Sequence, residues 1–258
     1  MKKETEEKLA RSLTARTAEL LPFLPYLLQD FWELGSSPED IVMLLEKYVP
    51  LSKNSKILDL ACGKGAVSVK IAKRLNVNVR GVDLLPDFIA AAGEKAKKWR
   101  VESLCRFECA DANEAVVTER DYDCVVFGAA GNILGSPKET LEKLRETVKP
   151  QGFILMDEAY LPVGSGSENV RIEYEYLTRE QWLGLFEESG LRLLEEISYT
   201  GERDFSSDNE AIAARAQELA AKHPEKRALF EGYVQSQLDE CTDLNGSVVG
   251  AAWILQKA

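Results

Sequence analysis

An acidic residue and a glycine-rich turn stand close together in the first half of the chain. Asp59 ends a short apolar run, Lys56–Asp59, and the sequence ACGKG follows at residues 61–65. Gly63 and Gly65 lack a Cβ atom, so the backbone here can pass close to a ligand. If a helix begins after this turn, its first N–H groups have no partner within the helix and can bind that ligand. The spacing therefore predicts a ligand site built on a strand end and a helix start.

Two later carboxylates have similar positions. Asp83 ends the apolar run Val77–Asp83, and Asp111 follows the run Cys105–Cys109. A carboxylate at such a strand end can accept both hydrogen bonds of a ribose diol. Asp111 could accept from an adenine amino group while the Ala112 N–H donates to the ring. Each carboxylate alone is more often a cap or turn residue. Three at successive strand ends, on the edge where such sheets bind ligands, favour an adenosine-containing ligand.

The turn fits a nicotinamide dinucleotide poorly. The dinucleotide pattern G-x-G-x-x-G needs a third small residue, but Ser68 stands three positions after Gly65. A pyrophosphate also favours a helix start without a carboxylate beside it. S-adenosylmethionine (SAM) has no phosphate and carries an ammonium and a sulfonium, which suit Asp59. A nicotinamide-dependent oxidoreductase is therefore disfavoured.

Strands and helices alternate from Pro38 onward. Apolar runs predict the strands, apolar residues four apart predict the helices, and Ser136 with Glu139 forms a capping-box signature. We predict strands over 56–59, 77–83, 105–109, 122–127 and 153–157, helices over 66–75, 86–99 and 137–148, and a turn over 149–152. This alternation is typical of a parallel sheet with helices on both faces.

The motifs, taken in order, resemble the class I SAM-dependent methyltransferases over roughly residues 56–200. They are ILDLACGKGAVSVKIA, VRGVD, ECADANE, YDCVVFGAAG and LRETVKPQGFILMDE. The resemblance implies a doubly wound, seven-stranded, mostly parallel Rossmann-like α/β sheet whose last strand is antiparallel. It implies a transferase of the small-molecule branch, with SAM as cofactor. The cofactor-binding residues that it implies are Asp59, Ala61, Cys62, Gly63, Gly65, Asp83, Leu84, Asp111, Ala112 and Gly128.

Three regions interrupt the alternation. Residues 1–50 are helical and amphipathic, residues 158–177 form a long connection, and residues 201–246 are polar and largely helical. We predict a helical N-terminal lid over 1–50 and a SAM-binding domain over 51–258 with a helical insert over 201–246. The segment Trp32–Pro38 is similar to the start of the lid in small-molecule members. The three regions are long enough to roof an acceptor pocket, although the insert could instead be a surface decoration or a dimer contact.

No catalytic motif is evident, and methyl transfer does not need one. The reaction is an in-line displacement that depends on alignment and on excluding water. Phe127–Ala130 lacks the Asn/Asp-Pro-Pro-Tyr signature of amino methylases and the acidic residues that aminopropyl transfer would need. Asp157, Glu158 and Tyr160 are candidates for acceptor contact, with solvated charges and packing as the open alternative. A non-catalytic SAM-binding protein and another SAM-using transferase also stay open.

Composition and net charge indicate which classes of binding partner, location and metal site to expect. The net charge is −11 and no basic stripe occurs, so nucleic acid and anionic membranes are unexpected partners. Residues 20–32 are too short an apolar stretch to span a bilayer, and no apolar signal core stands at the N-terminus. Five cysteines without a CxxC pair favour reduced thiols and a cytoplasmic location. Cys105 and Cys109 stand four apart, but with one histidine in the chain we expect no metal site. We expect a small-molecule acceptor and a monomer or homodimer.

Overall fold

The structure is a computed structural model that describes residues 3–165, 170–172, 174–201 and 203–258. Parts of the predicted connection at 166–169 and 173, and residue 202 of the predicted insert, lie outside the described residues. The described elements are α1 (Lys3–Ser12), α2 (Leu24–Leu27), α3 (Pro38–Tyr48), β1 (Lys56–Leu60), α4 (Ala66–Leu75), β2 (Asn78–Asp83), α5 (Pro86–Trp99), β3 (Cys105–Cys109), α6 (Ala112–Thr118), β4 (Tyr122–Gly128), α7 (Pro137–Thr147), β5 (Val148–Tyr160), α8 (Arg179–Glu188), β6 (Leu191–Tyr199), α9 (Ser206–Lys222), α10 (Arg227–Leu244) and β7 (Val249–Lys257).

The seven strands form one sheet in the order β3-β2-β1-β4-β5-β7-β6. The pairs β2/β3, β1/β2, β1/β4 and β4/β5 are parallel. From β1 the chain first builds outward through β2 and β3, then returns to the other side of β1 for β4 and β5. Ligands in such sheets bind at this switch point, beyond the carboxyl ends of the strands. The predicted seven-stranded α/β architecture is confirmed.

Local sequence signals explain the helix starts. Ser136 and Glu139 make the predicted capping box at α7, with the Glu139 carboxylate accepting from the Ser136 N–H at 2.8 Å. Ser37 caps α3 by accepting from the Asp40 N–H at 3.4 Å. Pro86 stands in the first turn of α5, where its missing N–H costs nothing. The bounds of α4, α5 and β3 agree with the prediction.

One predicted turn was wrong, and two helices were not foreseen. Residues 149–152 lie within β5, where Gln151 takes a φ of 60° and the register with β4 shifts between Tyr122 and Cys124. This irregularity accommodates turn-forming residues inside a paired strand. Helices α6 and α8 are short, with seven and ten residues, and follow no strong sequence signal.

The described chain divides into two compact units. The sheet unit comprises Trp32–Glu158, Glu180–Ser198 and Ala251–Ala258, and the helical unit comprises Met1–Phe31, Ala159–Arg179 and Tyr199–Gly250. Residues 32–50, including α3, therefore pack with the sheet, whereas α1 and α2 belong to the helical unit. Among the described residues, no helix combines the length and apolar character needed to cross a membrane.

Candidate cofactor site

The turn between β1 and α4 has the conformation that its glycines allow. Ala61, Gly63 and Gly65 have φ values of 57°, 52° and 72°, which lie in the left-handed region. A Cβ atom on Gly65 would stand 2.8 Å from the Cβ of Ala92 and 3.0 Å from the ring of Phe107. Glycine is therefore required at 65, because it lets the start of α4 approach α5 and β3 closely.

The start of α4 offers free hydrogen-bond donors. Gly65 is the N-cap residue and has no side chain to accept from the first N–H groups of the helix. The turn is held from the other side, since the Cys62 N–H donates to the Val82 carbonyl at 2.9 Å. Burial raises the pKa of the Cys62 thiol well above its usual value, so this side chain stays a neutral thiol. The predicted turn thus presents backbone donors, and its one charged side chain, Lys64, has its ammonium 5.5 Å from the centre of the Phe88 ring.

Asp59 is buried at the end of β1, with 3% of its surface exposed. Its carboxylate accepts a hydrogen bond from the Ser68 hydroxyl of α4. Burial, with a smaller contribution from the nearby charge of Asp83, raises the pKa of Asp59 to about 7. The Ser68 hydrogen bond opposes this shift but does not cancel it. A cationic ligand would favour the ionised form and so gain affinity from this carboxylate.

Asp83, at the end of β2, is held by the backbone. Its two oxygens accept from the N–H groups of Gly63 and Leu85, each at 2.9 Å. Burial raises the pKa of Asp83, and these two hydrogen bonds oppose the rise. Each carboxylate oxygen can accept a second hydrogen bond, so a diol can still be bound. Leu84, which follows, is half-buried.

Asp111 is the N-cap residue of α6, immediately after β3. Its Oδ1 accepts from the Asn113 N–H at 2.8 Å and from the Asn113 side-chain amide at 3.1 Å. The Ala110 N–H donates to the Asp83 carbonyl at 3.0 Å, which places Asp111 and the buried Ala112 beside the end of β2. The three predicted carboxylates therefore lie at the carboxyl ends of three adjacent strands.

Gly128 ends β4 and is covered by residues that precede α3. A Cβ atom on Gly128 would collide with the Ser36 hydroxyl oxygen, and one on Gly35 would stand 2.6 Å from the Cβ of Ala129. One on Gly63 would stand 3.3 Å from the Leu34 side chain. Leu34–Ser36 therefore lies across the strand ends, from the β1 turn to β4.

Trp32 ties this covering segment to the glycine-rich turn. Its indole N–H donates to the Lys64 carbonyl at 3.0 Å. Its ring centre lies 5.2 Å from that of Trp99, and the Lys95 ammonium lies 4.8 Å from the Trp32 ring. Lys70 approaches the same ring at 5.6 Å. These contacts hold the segment within the sheet unit.

Ser36 is the residue at this site that sequence reasoning missed. Its hydroxyl oxygen is buried and has no hydrogen-bond partner among the described residues. A buried hydroxyl without a partner is costly, and a bound ligand would satisfy it. The similarity of Trp32–Pro38 to a lid start was the available signal, but it did not single out Ser36.

The three acceptor-contact candidates lie at the end of β5. Asp157 is 9% exposed and pairs with Gly128 across the strands, so it stands beside the cofactor site. Glu158 is half-buried and, like Tyr160, projects from the opposite face of the strand. Tyr160 is buried and belongs to the helical unit. Their catalytic role stays a prediction. Among the described residues, no cluster of three or more His, Cys, Asp or Glu side chains is arranged to hold a metal ion.

Comparison with known proteins identifies the family and the fold of the chain. A family model described as a methyltransferase domain matches residues 51–195. A protein of Haemophilus influenzae is 26% identical over 57% of this chain and 62% of its own length. A malonyl-(acyl-carrier protein) O-methyltransferase of Priestia megaterium is 29% identical over 52% of this chain and 45% of its own. The match thus spans about half the length of these curated relatives.

Among solved structures, a SAM-dependent methyltransferase of Geobacter sulfurreducens, crystallised with S-adenosylhomocysteine, superimposes with a TM-score of 0.76. It is 18% identical, and the superposition covers 92% of this chain and 98% of that one. At this identity the similarity establishes the fold. Since the family model covers more than half of the residues, the chain belongs to the methyltransferase domain family, as its motifs predict.

Proposed function

We propose that this protein binds SAM at the ends of β1–β4 and transfers its methyl group to a small molecule. The observation that carries the proposal is the set of three carboxylates, Asp59, Asp83 and Asp111, at the carboxyl ends of three adjacent strands around a glycine-rich turn. The family supports the activity, and the SAH-bound structural neighbour supports the choice of cofactor.

The strand order fixes the sequence in which the candidate binding residues follow one another along the edge of the sheet. Running from β3 to β4, the edge presents Asp111, then Asp83, then the turn after Asp59, and finally Gly128. Adenine at Asp111, ribose at Asp83 and the methionine part near Asp59 follow the same order as the parts of the cofactor. The residues present fit SAM. The buried Ser36 hydroxyl has no hydrogen-bond partner among the described residues, and the bound cofactor would supply one. When bound, SAM supplies an electrophilic methyl group on a sulfonium.

The protein's own contribution would be alignment and the exclusion of water. Leu34–Ser36 covers the strand ends, and Asp157 stands beside Gly128 as a candidate to contact the acceptor. Asp157 would orient a donor group of the acceptor or take its proton.

A small acceptor is supported by the end of β4 and by the charge of the chain. Phe127–Ala130 lacks the polar signature of base and protein amino methylases, and the net charge of −11 disfavours nucleic acid. The lid over 1–50, the insert over 201–246, the cytoplasmic location and the monomeric or dimeric state remain predictions.

Calorimetric titration with SAM, S-adenosylhomocysteine and NAD tests the cofactor. We expect both adenosyl ligands to bind, NAD not to bind, and Asp83→Ala to lose binding. Asp121→Asn is a matched control, because Asp121 is an exposed carboxylate at the opposite end of β4, and asparagine tolerates its φ of 63°. Binding of NAD alone, or equal binding by the Asp83 variant, would refute the site.

A turnover assay distinguishes an enzyme from a SAM-binding protein that has no catalytic activity. Labelled SAM would be incubated with panels of amines, alcohols and carboxylic acids. Release of S-adenosylhomocysteine that depends on one panel supports transfer to a small molecule. Cofactor binding without any acceptor-dependent release would favour the non-catalytic alternative.

A further inference from the structure

Asn113, the second residue of α6, connects the loops that follow β3 and β4. Its side-chain amide nitrogen donates to Asp111 Oδ1 at 3.1 Å and to the Ile133 carbonyl at 3.0 Å. Asp111 lies just after β3, and Ile133 lies in the turn Gly131–Leu134 that follows β4. The amide is therefore held between two loops of the sheet unit, at the edge where we place the cofactor.

These contacts fix the orientation of the Asn113 amide. A carbonyl oxygen can only accept a hydrogen bond, so the amide nitrogen, and not the amide oxygen, must face Ile133. The two hydrogens of this nitrogen are both used, one by each acceptor. Turning the amide over would place its oxygen against two other oxygens. Asn113 thus gives Asp111 a donor in a defined position.

Asn113 also determines which oxygen of Asp111 a ligand can use. The Asn113 backbone N–H donates to the same Oδ1 at 2.8 Å, so this oxygen accepts two hydrogen bonds from one residue. A carboxylate oxygen has about two such positions in all. Oδ2 accepts from none of the described residues, and Asp111 is only half-buried. Oδ2 is therefore the oxygen that is left for a ligand.

The start of α6 supplies a donor beside this acceptor. Asp111 is the N-cap residue, so the Ala112 N–H is the first of the helix and has no acceptor within it. Adenine presents an amino group next to a ring nitrogen that accepts, which matches one acceptor and one donor. Hypoxanthine presents a carbonyl oxygen and a ring N–H at the same two places. Both of its groups would meet a group of their own kind, which a hydrogen-bonding site rejects strongly.

We propose that Asn113 is a positioning residue that makes the cofactor site specific for an adenine base. The inference rests on the proposed function, and it adds the residue that orients the Asp111 carboxylate. With the Asn113 amide in place, Oδ1 is occupied and Oδ2 meets the base. Without the amide, one backbone N–H alone holds Asp111, and its carboxylate can rotate. A base with a carbonyl oxygen at this position is then rejected less strongly.

Calorimetric titration with S-adenosylhomocysteine and with S-inosylhomocysteine, in which hypoxanthine replaces adenine, tests this role. We expect the natural protein to bind the adenosyl compound about a hundredfold more tightly. Asn113→Leu keeps the size of the side chain and the backbone N–H but removes the amide, so it should reduce this ratio about tenfold. Glu114→Gln is the control, because Glu114 is the exposed next residue of α6, and it should leave the ratio unchanged.

Asp111→Asn provides a second measurement. The backbone and side-chain N–H groups of Asn113 would hold the oxygen of the new amide, which turns its nitrogen toward the base. A donor then stands where the adenine amino group needs an acceptor. This variant should therefore lower the ratio further than Asn113→Leu does.

Several results would overturn the proposal. One is a natural protein that binds both compounds equally. Another is an unchanged ratio in Asn113→Leu, including equal weakening of both compounds with a lower melting temperature, since a purely structural residue would act in that way. If Asn113→Leu does not fold, a natural ratio in Asp111→Asn has the same meaning. Absence of binding of either compound to the natural protein would instead refute the proposed function, and the role of Asn113 with it.

Discussion

Two carboxylates of the sheet unit, Asp59 and Asp83, and two of the helical unit, Glu240 and Asp243, are held in similar ways. One member accepts backbone N–H groups on both oxygens, Asp83 in the sheet unit and Asp243 in the helical unit. The other has one described hydroxyl donor, Ser68 for Asp59 and Thr14 for Glu240. In both units a buried hydroxyl without a described partner is also present.

This comparison separates carboxylates that accept from the backbone from carboxylates that accept from a single hydroxyl. Backbone donors are fixed by the fold, so Asp83 and Asp243 hold loops in place. A single hydroxyl does not offset the cost of burying a charge, and the pKa values of Asp59 and Glu240 are accordingly raised. Such a group gains most from a cationic ligand. Asp83 differs from Asp243 in that we also assign it a ligand.

The largest expected effect is on the pH dependence of stability. Burial raises the pKa of Asp59 from 3.8 to about 7. The folded protein then holds this proton at pH values where the unfolded chain has lost it. The free energy of unfolding should therefore fall as pH rises from about 4 to about 7, by ~4 kcal/mol from this group. Asp59→Asn should abolish this contribution to the pH dependence of the free energy of unfolding, because asparagine does not titrate.

Urea unfolding without ligand, at about pH 5 and about pH 8, measures this effect. Asp59→Asn should be more stable than the natural protein at the higher pH, and Glu240→Gln should change in the same direction. If the free energy of unfolding of both variants changed with pH as much as that of the natural protein, the comparison of the two pairs would be contradicted.

The next effect concerns the structural members. Asp243→Ala leaves the N–H groups of Arg171 and Ile172 without their acceptor, so it should lower the free energy of unfolding by about 2–4 kcal/mol. Chemical denaturation measures the loss, with Glu231→Ala as an exposed control. Affinity for S-adenosylhomocysteine should not change. A loss of affinity as large as that caused by Asp83→Ala would show that the two roles are not separate.

A smaller effect is expected on cofactor affinity. If Asp59 must be ionised to bind a cationic ligand, SAM affinity should weaken about fivefold as pH falls from about 7 to about 6, because the pKa of Asp59 is about 7. Calorimetric titration at several pH values measures this, and Asp59→Asn should bind weakly with a flat profile. A flat profile in the natural protein would remove Asp59 from ligand contact.

The smallest effect distinguishes neighbouring serines. Ser36→Ala removes no described hydrogen bond, so stability should not fall, while SAM affinity should weaken severalfold, by about 1 kcal/mol. Ser37→Ala removes the cap of α3 and should cost about 1 kcal/mol of stability with less effect on affinity. Melting curves paired with titrations separate the two. If Ser36→Ala lowered stability and Ser37→Ala lowered SAM affinity instead, the ligand would not contact Ser36.

Much of the sheet unit could be predicted because its signals are local. The glycine-rich turn, the carboxylates at strand ends and the capping box each depend on residues within a few positions of one another. Helices α4 and α5 begin and end at the predicted residues for the same reason. The segment 149–152 was mistaken for a turn because its residues favour turns, but in the structure it lies within β5, between the pairs Tyr122–Val148 and Cys124–Phe153 that β5 makes with β4.

By itself, the sequence determined the family, the alternation of strands and helices, and the carboxylates that end β1, β2 and β3. Tertiary structure alone decided that Ser36 covers Gly128, that Asp157 stands beside it, and that Glu240 meets Thr14. The residues of these pairs are between 29 and 226 positions apart, taking the Gly128–Asp157 and Thr14–Glu240 pairs as the extremes. No local pattern encodes such contacts, because they exist only once the units have folded.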